Sequence, residues 1–372
     1  MTGTQNNWVN LTTGLCLVLF VIAEAVGLHT RAMGIESWMS FTAQWVTPFA
    51  LPTLFLIAGL FLPRTLYGSK SAFFDRKVLR FIYFYLAWMG LHALAAMAFT
   101  QGSGTAGLVD RLASGLVQPS AGLWVLPQLA LFALITWLVR LVAPGKVLAV
   151  AAGAQILHSA GLIQTGWIPL DAAAQYFIFF FAGCSGAATL RQYAERLSRG
   201  FADVPAALVI WAAINTVLVA QGTAALPVIS LVMGFSGAFA MIALGVLLSR
   251  SGRGQLFQQA GRDHLAIYLA YLPALLFGQM ILGLSGLSPE PGLTALALAL
   301  LGLILPLGLS RLVRLTPLKL LYRRPKVFRI PAGLPRSCAV RQRSPTGSSW
   351  PGCSPRRRNG ELRCRPASAS PR

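Results

Sequence analysis

Charge is scarce in this sequence, and acidic charge is the scarcest. Of its 372 residues 11% are charged and ten are Asp or Glu, whereas soluble domains carry about 25% charged residues. A chain with so little charge cannot cover a surface that faces water, which excludes an ordinary soluble protein. The hydrophobic share of 55% predicts a polytopic membrane protein instead.

Cysteine and histidine are also few, with five and four residues respectively. The cysteines show no spacing typical of a disulfide framework, and no two histidines have the spacing of metal ligands. We therefore expect no metal site and no bound cofactor.

Basic residues are in excess and give a net charge of +21. They are scattered between apolar runs rather than gathered on one soluble domain, so nucleic acid is not an expected partner. Their distribution is typical of the Lys and Arg excess in cytoplasmic loops, and the expected partner is the lipid bilayer.

Apolar runs long enough to span a bilayer recur along the chain. We place ten, at residues 9–28, 46–66, 80–99, 122–143, 146–163, 174–190, 204–222, 225–248, 264–284 and 293–314. The even-numbered connections between them carry most of the basic residues, whereas the odd-numbered ones offer Arg31 and Arg111. This alternation predicts an all-α protein with about ten transmembrane helices and both termini in the cytoplasm. The glycine of FLIAGLFLP is interpreted as a close contact between helices.

The composition changes near residue 331. The 42 residues of 331–372 include nine Arg, seven Pro and seven Ser, and such a segment cannot bury a core. We expect a transmembrane domain over 1–330, followed by a disordered basic tail. The alternative is that 331–372 is an accidental extension, for example from a shifted reading frame.

One acid, Glu24, falls well inside an apolar run, LVLFVIAEAVGLHT. A charge at the centre of a bilayer costs roughly 3 kcal/mol on insertion scales, so an ionisable residue there is a candidate for function. Two interpretations stay open. Glu24 is either a general base that faces an outward cavity, or a structural residue: a carboxylate near the interface, or a protonated group that is hydrogen-bonded to a neighbouring helix.

The connection after the second run is dense in basic residues. It carries Arg64, Lys70, Arg76, Lys77 and Arg80 beside aromatic residues. Such side chains can hold the phosphates of a nucleotide-bearing donor such as acyl-CoA, because Arg matches phosphate geometry with two parallel hydrogen bonds. The alternative is a loop that sets topology and touches lipid headgroups.

Several stretches occur in the order typical of one known family. They are WVNLTTGLCLVLFVIAEA, TPFALPTLFLIAGLFLPRTL with DRKVLRFIYFYLAW, LWVLPQLALF, AQYFIFFFAGCSGA, and GRDHLAIYLAYLP followed by LYRRPKVFRI. The chain resembles the membrane-bound acyltransferase-3 family over about residues 7 to 330. That family comprises bacterial inner-membrane proteins, similar to the O-acyltransferases that modify glucans and O-antigens.

The resemblance implies about ten helices and the transfer of an acyl group, usually acetyl, from cytoplasmic acyl-CoA to a hydroxyl of an envelope glycan. It implies that acyl-CoA is a co-substrate rather than a bound cofactor. Arg64, Arg76, Lys77 and Arg80 are then the expected donor-binding residues, and Glu24 is the expected catalytic residue.

The first helix departs from the family pattern. The family keeps a basic residue followed eleven positions later by His, a spacing that returns to nearly the same helix face about 16 Å further on. With Gly14 aligned to the family's glycine, Thr13 stands at the basic position and Glu24 at the histidine position. A buried Glu can still accept a proton from a hydroxyl.

This departure leaves three functions to compare. The first is the acyltransferase. The second is a catalytically inactive relative that binds a lipid, a glycan or a partner enzyme. The third is a transporter, which ranks last because no clear internal repeat is visible and one charge lies well within a span.

Overall fold

A computed structural model of the protein describes residues 7–99, 105–119, 122–200, 203–285, 290–313, 316–325 and 328. Residues 331–372, the expected tail, lie outside them. All regular structure in these ranges is helical. The α-helices, in chain order, are α1 (Asn7–Met33), α2 (Met39–Val46), α3 (Ala50–Leu60), α4 (Pro63–Leu66), α5 (Lys70–Phe73), α6 (Arg80–Phe99), α7 (Thr105–Val117), α8 (Val125–Leu138), α9 (Pro144–Ser159), α10 (Ile168–Ser185), α11 (Ala187–Arg199), α12 (Val204–Ala220), α13 (Pro227–Arg250), α14 (Gln255–Arg262), α15 (His264–Ser285) and α16 (Pro291–Val313). A π-helical turn, Phe74–Leu79, joins α5 to α6, and a 3₁₀ turn, Pro317–Leu321, follows α16.

Six helical segments of the described chain are long and apolar enough to cross a membrane. They are Asn7–Met33, Met39–Leu66, Ile168–Ser185, Pro227–Arg250, His264–Ser285 and Pro291–Val313. The protein is therefore an all-helical, multi-pass membrane protein. The expected number of ten is not confirmed, because helices such as α8 and α12 are apolar but only 14 and 17 residues long. About 20 residues are needed to cross the hydrocarbon core. The orientation of the termini stays a prediction.

Helix α1 lies among most of the other long helices and packs on α13, α14 and α16. Its contact with α14 is a close backbone crossing. A Cβ atom on Gly14 would overlap the carbonyl oxygen of Phe257, and one on Gly261 would overlap that of Asn10. Glycine permits this approach because it has no side chain.

Helices α3 and α10 cross in the same way. A Cβ atom on Gly59 would overlap the carbonyl oxygen of Phe180, and one on Gly183 would overlap that of Leu56. Gly59 is the glycine of FLIAGLFLP, so the predicted close contact between helices is confirmed. The crossing brings Phe55 of α3 beside α10 in the main apolar cluster.

The segment after α16 packs on the start of α6. The Trp88 indole N–H donates to the carbonyl of Leu321 at 3.0 Å, and the Tyr83 hydroxyl donates to that of Leu320 at 3.0 Å. Arg324, which is 9% exposed, forms an ion pair with Asp75 of the π-helical turn and donates to the Asp75 carbonyl at 2.8 Å. The end of the helical region thereby holds the basic connection in place.

Candidate active site

A cavity of about 370 Å³ lies between α1, α3, α6, α8 and α15. We call it the basic cavity, because its lining includes Lys77 and Arg80. Its other polar lining residues are Asn10, Thr13, His264 and Tyr268. Two of the predicted donor-binding residues therefore share a cavity with Thr13, the residue at the family's basic position.

Lys77 reaches this cavity from the π-helical turn that precedes α6. A π-helical turn widens the helix and changes the direction of its side chains. Among the described residues neither Lys77 nor Arg80 has a carboxylate partner or a hydrogen bond. Burial, and to a lesser degree the neighbouring Arg80 guanidinium, lowers the pKa of Lys77 to about 8. Two close cations without a counter-charge favour the binding of an anion.

The basic cavity extends along α1 from Asn10 to Phe20, about 15 Å of helix rise. At its deeper end the Tyr268 hydroxyl accepts a hydrogen bond from the Val125 N–H at 3.1 Å. The Phe20 ring packs edge-on against Tyr271, with the ring centroids 5.5 Å apart. The cavity thus connects a cationic end with a tyrosine-lined end.

Glu24 lies one turn beyond Phe20 on α1 and is half-buried. Its carboxylate interacts electrostatically with Tyr176, Tyr268 and Tyr271. In the described part of the chain no group donates a hydrogen bond to it, and the buried Tyr271 hydroxyl also has no partner there. Glu24 does not line the basic cavity itself, but Tyr268 links the two.

A second cavity, of about 790 Å³, adjoins the basic cavity and shares Val9 and Phe61 with it. We call it the arginine cavity, because its lining includes Arg64, Arg191, Arg199 and Arg250. Arg64 is one of the predicted donor-binding residues, whereas the contribution of α11 was not predicted from the sequence. The basic residues of α11 recur along the helix in the sequence, but this pattern is equally typical of a surface helix and does not indicate a cavity lining.

The structure therefore separates the four predicted donor-binding residues. Lys77 and Arg80 line the basic cavity and Arg64 lines the arginine cavity, whereas Arg76 is exposed and lines neither. Arg324 lies close enough to Arg80 for the two cations to interact. The basic residues around the basic cavity and the arginine cavity thus form a strongly positive region.

A third cavity, of about 440 Å³, opens at the opposite end of the helices. Ser230 near the start of α13 lines it, whereas Val246 near the end of α13 lines the arginine cavity. The two residues are about 24 Å apart along the helix. We call it the amide cavity, because its lining includes Gln44, Gln155, Gln164 and Gln175. No motif in the sequence predicts this cavity.

The basic cavity and the amide cavity share no lining residue in the described chain. Phe55 lines the former and Tyr176 lines the latter, and their rings stack with centroids 5.2 Å apart and planes at 29°. These two rings form an aromatic partition. Tyr176 of the amide cavity and Tyr268 of the basic cavity both interact electrostatically with Glu24, which lines neither cavity.

Among the described residues no three His, Cys, Asp or Glu side chains come together as metal ligands do.

Comparison with known proteins identifies a family. A family model described as an acyltransferase domain, that of acyltransferase 3, matches residues 6–312. No curated protein and no solved structure matches the chain. The match covers α1 to α16 almost completely and so contains all three cavities.

Proposed function

The chain belongs to the acyltransferase-3 family, and from this premise we propose that it transfers an acyl group, usually acetyl, from acyl-CoA to a hydroxyl of an envelope glycan. We place it in the bacterial inner membrane, with about ten helices and with its termini and basic connections in the cytoplasm. One observation carries the proposal. The basic cavity has two cations at one end and, at the other, a tyrosine that interacts with Glu24.

The cationic end suits the donor. The phosphates of acyl-CoA would contact Lys77 and Arg80, with Arg64 in the adjoining cavity and Arg76 on the nearby exposed loop. Charge-assisted bonds of this kind are about twice as strong as neutral ones. The thioester arm would then extend along α1 past Thr13 toward Phe20, between mostly apolar walls.

Glu24 is the proposed general base. It takes the proton of the acceptor hydroxyl while the hydroxyl oxygen attacks the thioester carbonyl. The C–O bond forms, the C–S bond breaks, and the proton passes from Glu24 to the departing CoA thiolate. The products are an ester and free CoA, and the carboxylate is regenerated.

Two tyrosines are available to stabilise the charge that develops on the carbonyl oxygen. The Tyr268 hydroxyl accepts from Val125 N–H, so its own proton remains free to donate. The buried Tyr271 hydroxyl has no partner among the described residues. Donors that are already fixed in place stabilise an oxyanion at little cost of reorganisation.

The decisive test replaces Glu24. We expect Glu24→Gln to lower acetyl transfer from labelled acetyl-CoA to envelope glycan by about a hundredfold or more, because the amide cannot accept the proton. The measurement is label incorporation in proteoliposomes and mass spectrometry of glycans from a strain without the gene. Glu36→Gln is the matched control, since Glu36 is exposed in the connection between α1 and α2. Full transfer by Glu24→Gln would remove Glu24 from the mechanism.

A further inference from the structure

The amide cavity has a lining unlike that of the other two cavities. None of its lining residues is Asp, Glu, Lys or Arg. Instead it combines four glutamines with Thr47, Ser159, Ser230, His158 and Tyr176. Carboxamides and hydroxyls can each donate and accept hydrogen bonds, which is what the hydroxyl groups of a sugar require.

Gln155 is the most informative residue of this lining. It is 3% exposed, and its Nε2 donates to Ser159 Oγ at 3.0 Å and to Ser230 Oγ at 2.9 Å. Its Oε1 is buried and has no hydrogen-bond partner among the described residues. If the nitrogen and oxygen of the Gln155 amide were assigned the other way round, the atom at the present Oε1 position would still have no partner among the described residues. A buried polar atom of this kind destabilises a protein unless something else bonds to it.

The lack of charged side chains in the described lining of the amide cavity argues against an ionic ligand. One acid close to the lining is Asp171, which interacts electrostatically with His158. Its oxygens already accept from Thr165 N at 2.8 Å, Thr165 Oγ1 at 2.9 Å and Gly166 N at 2.9 Å. A bound anion would find no Lys or Arg, and a bound cation would find no free carboxylate in the lining.

The cavity also lies next to the proposed base. Tyr176 lines it and interacts electrostatically with Glu24. A hydroxyl group bound beside Tyr176 would therefore lie in the region that the Glu24 carboxylate influences.

We infer that the amide cavity is the acceptor site and that it selects an uncharged, polyhydroxylated sugar unit. Gln155, Ser159 and Ser230 are the specificity-determining residues, and a sugar hydroxyl supplies the bond that Gln155 lacks. This inference rests on the proposed function, because a bound sugar is an acceptor only if the protein is an acyltransferase. The binding of the sugar can be measured without any acyl transfer.

The test uses the full chain in nanodiscs and saturation-transfer NMR. The probes are α- and β-linked glucose tetramers, which are neutral, and an α-linked galacturonate tetramer, which is anionic. We expect saturation of a neutral probe and not of the anionic one. We expect Gln155→Leu to weaken the neutral signal by about tenfold, because the substitution removes the amide while keeping its volume.

Two controls separate binding from folding. Gln221→Leu makes the same change at an exposed glutamine that ends α12 outside the cavity lining, and it should leave the signal unchanged. Helical circular dichroism shows whether Gln155→Leu still folds, because the substitution removes the unpaired oxygen and also the two bonds that Nε2 donates to Ser159 and Ser230. Undiminished sugar binding by Gln155→Leu, equal binding of galacturonate, or no binding of a neutral probe would each overturn the inference.

Release of free CoA from acetyl-CoA by the wild-type protein distinguishes the two proposals. Thioester cleavage without binding of a neutral sugar would refute the acceptor site alone. Binding of a neutral sugar without thioester cleavage would refute the transferase while leaving a sugar site of the stated chemistry.

Discussion

Lys77 carries a charge that depends on pH in a range where the protein can be studied. A lysine is cationic below its pKa and neutral above it, and burial together with Arg80 lowers the pKa of Lys77 to about 8. A bound phosphate favours the cationic form. Its affinity should therefore fall once the solution is alkaline enough to remove the Lys77 proton.

This gives a prediction for the binding of CoA. Between pH 7 and pH 9.5 the wild-type affinity should fall by about tenfold, the loss expected when a charged hydrogen bond disappears. Lys77→Arg should bind with a flatter pH profile, because arginine stays protonated throughout. The measurement is isothermal titration of CoA into the protein in nanodiscs.

Lys70→Arg provides the control for that experiment. Lys70 belongs to the same basic connection but is exposed and lines none of the three cavities, so its variant should keep the wild-type profile. A wild-type affinity that does not change with pH would show that Lys77 does not contact the donor.

Single residues also show the limit of reading a sequence. Glu24 stands out in the sequence because an acid in an apolar run is rare. Gln155 does not, since a glutamine in a helix has no distinctive local signal. Its importance comes from Ser230, 75 residues away in sequence, and from the absence of a described partner for its oxygen.

At the scale of helices, sequence analysis performed well wherever the signal was local. Each of the ten expected apolar runs is mostly helical in the structure, because apolar length and helix formation depend on neighbouring residues. The run 46–66 breaks into shorter helices near Pro48, which lacks the N–H that a continuous helix needs. Which helices pack together was not predictable, apart from the close contact expected at Gly59.

The crossing of α3 and α10 leads to a prediction about stability. Gly183→Ala places a methyl group where the Leu56 carbonyl oxygen lies, so the two helices must separate. We expect a loss of about 1–3 kcal/mol or more, the usual cost of overpacking. It would appear as a lower unfolding temperature in detergent.

The same substitution at Gly153 tests that interpretation. Gly153 lies within α9, and a Cβ atom there would meet nothing within 4 Å. Gly153→Ala should keep or slightly raise the unfolding temperature, since alanine favours helix more than glycine does. Equal destabilisation by both variants would contradict a role for the close crossing.

At the scale of the whole molecule, the segment after α16 closes on the start of α6. Arg324 and Asp75 join these parts across most of the sequence, and both side chains are largely buried. Arg324→Ala removes the guanidinium that pairs with Asp75, and breaking a buried pair typically costs about 3–5 kcal/mol. We expect a lower unfolding temperature and weaker CoA binding, because the π-helical turn that carries Lys77 loses its support.

Arg323→Ala is the neighbouring control, because Arg323 is exposed. It removes the same charge from the same segment without touching Asp75. If both variants lost stability equally, the effect would come from net charge rather than from the buried pair.

The aromatic partition of Phe55 and Tyr176 bears on the energetics of the host cell. In the proposed mechanism each substrate would enter from its own side and travel only partway, so neither CoA nor sugar would have to be translocated. The stacked rings lie between the two cavities, which share no lining residue in the described chain, so the proposed transfer needs no continuous channel. A bacterium could then decorate its exterior from an internal thioester pool without discharging the electrochemical gradient that drives its ATP synthesis.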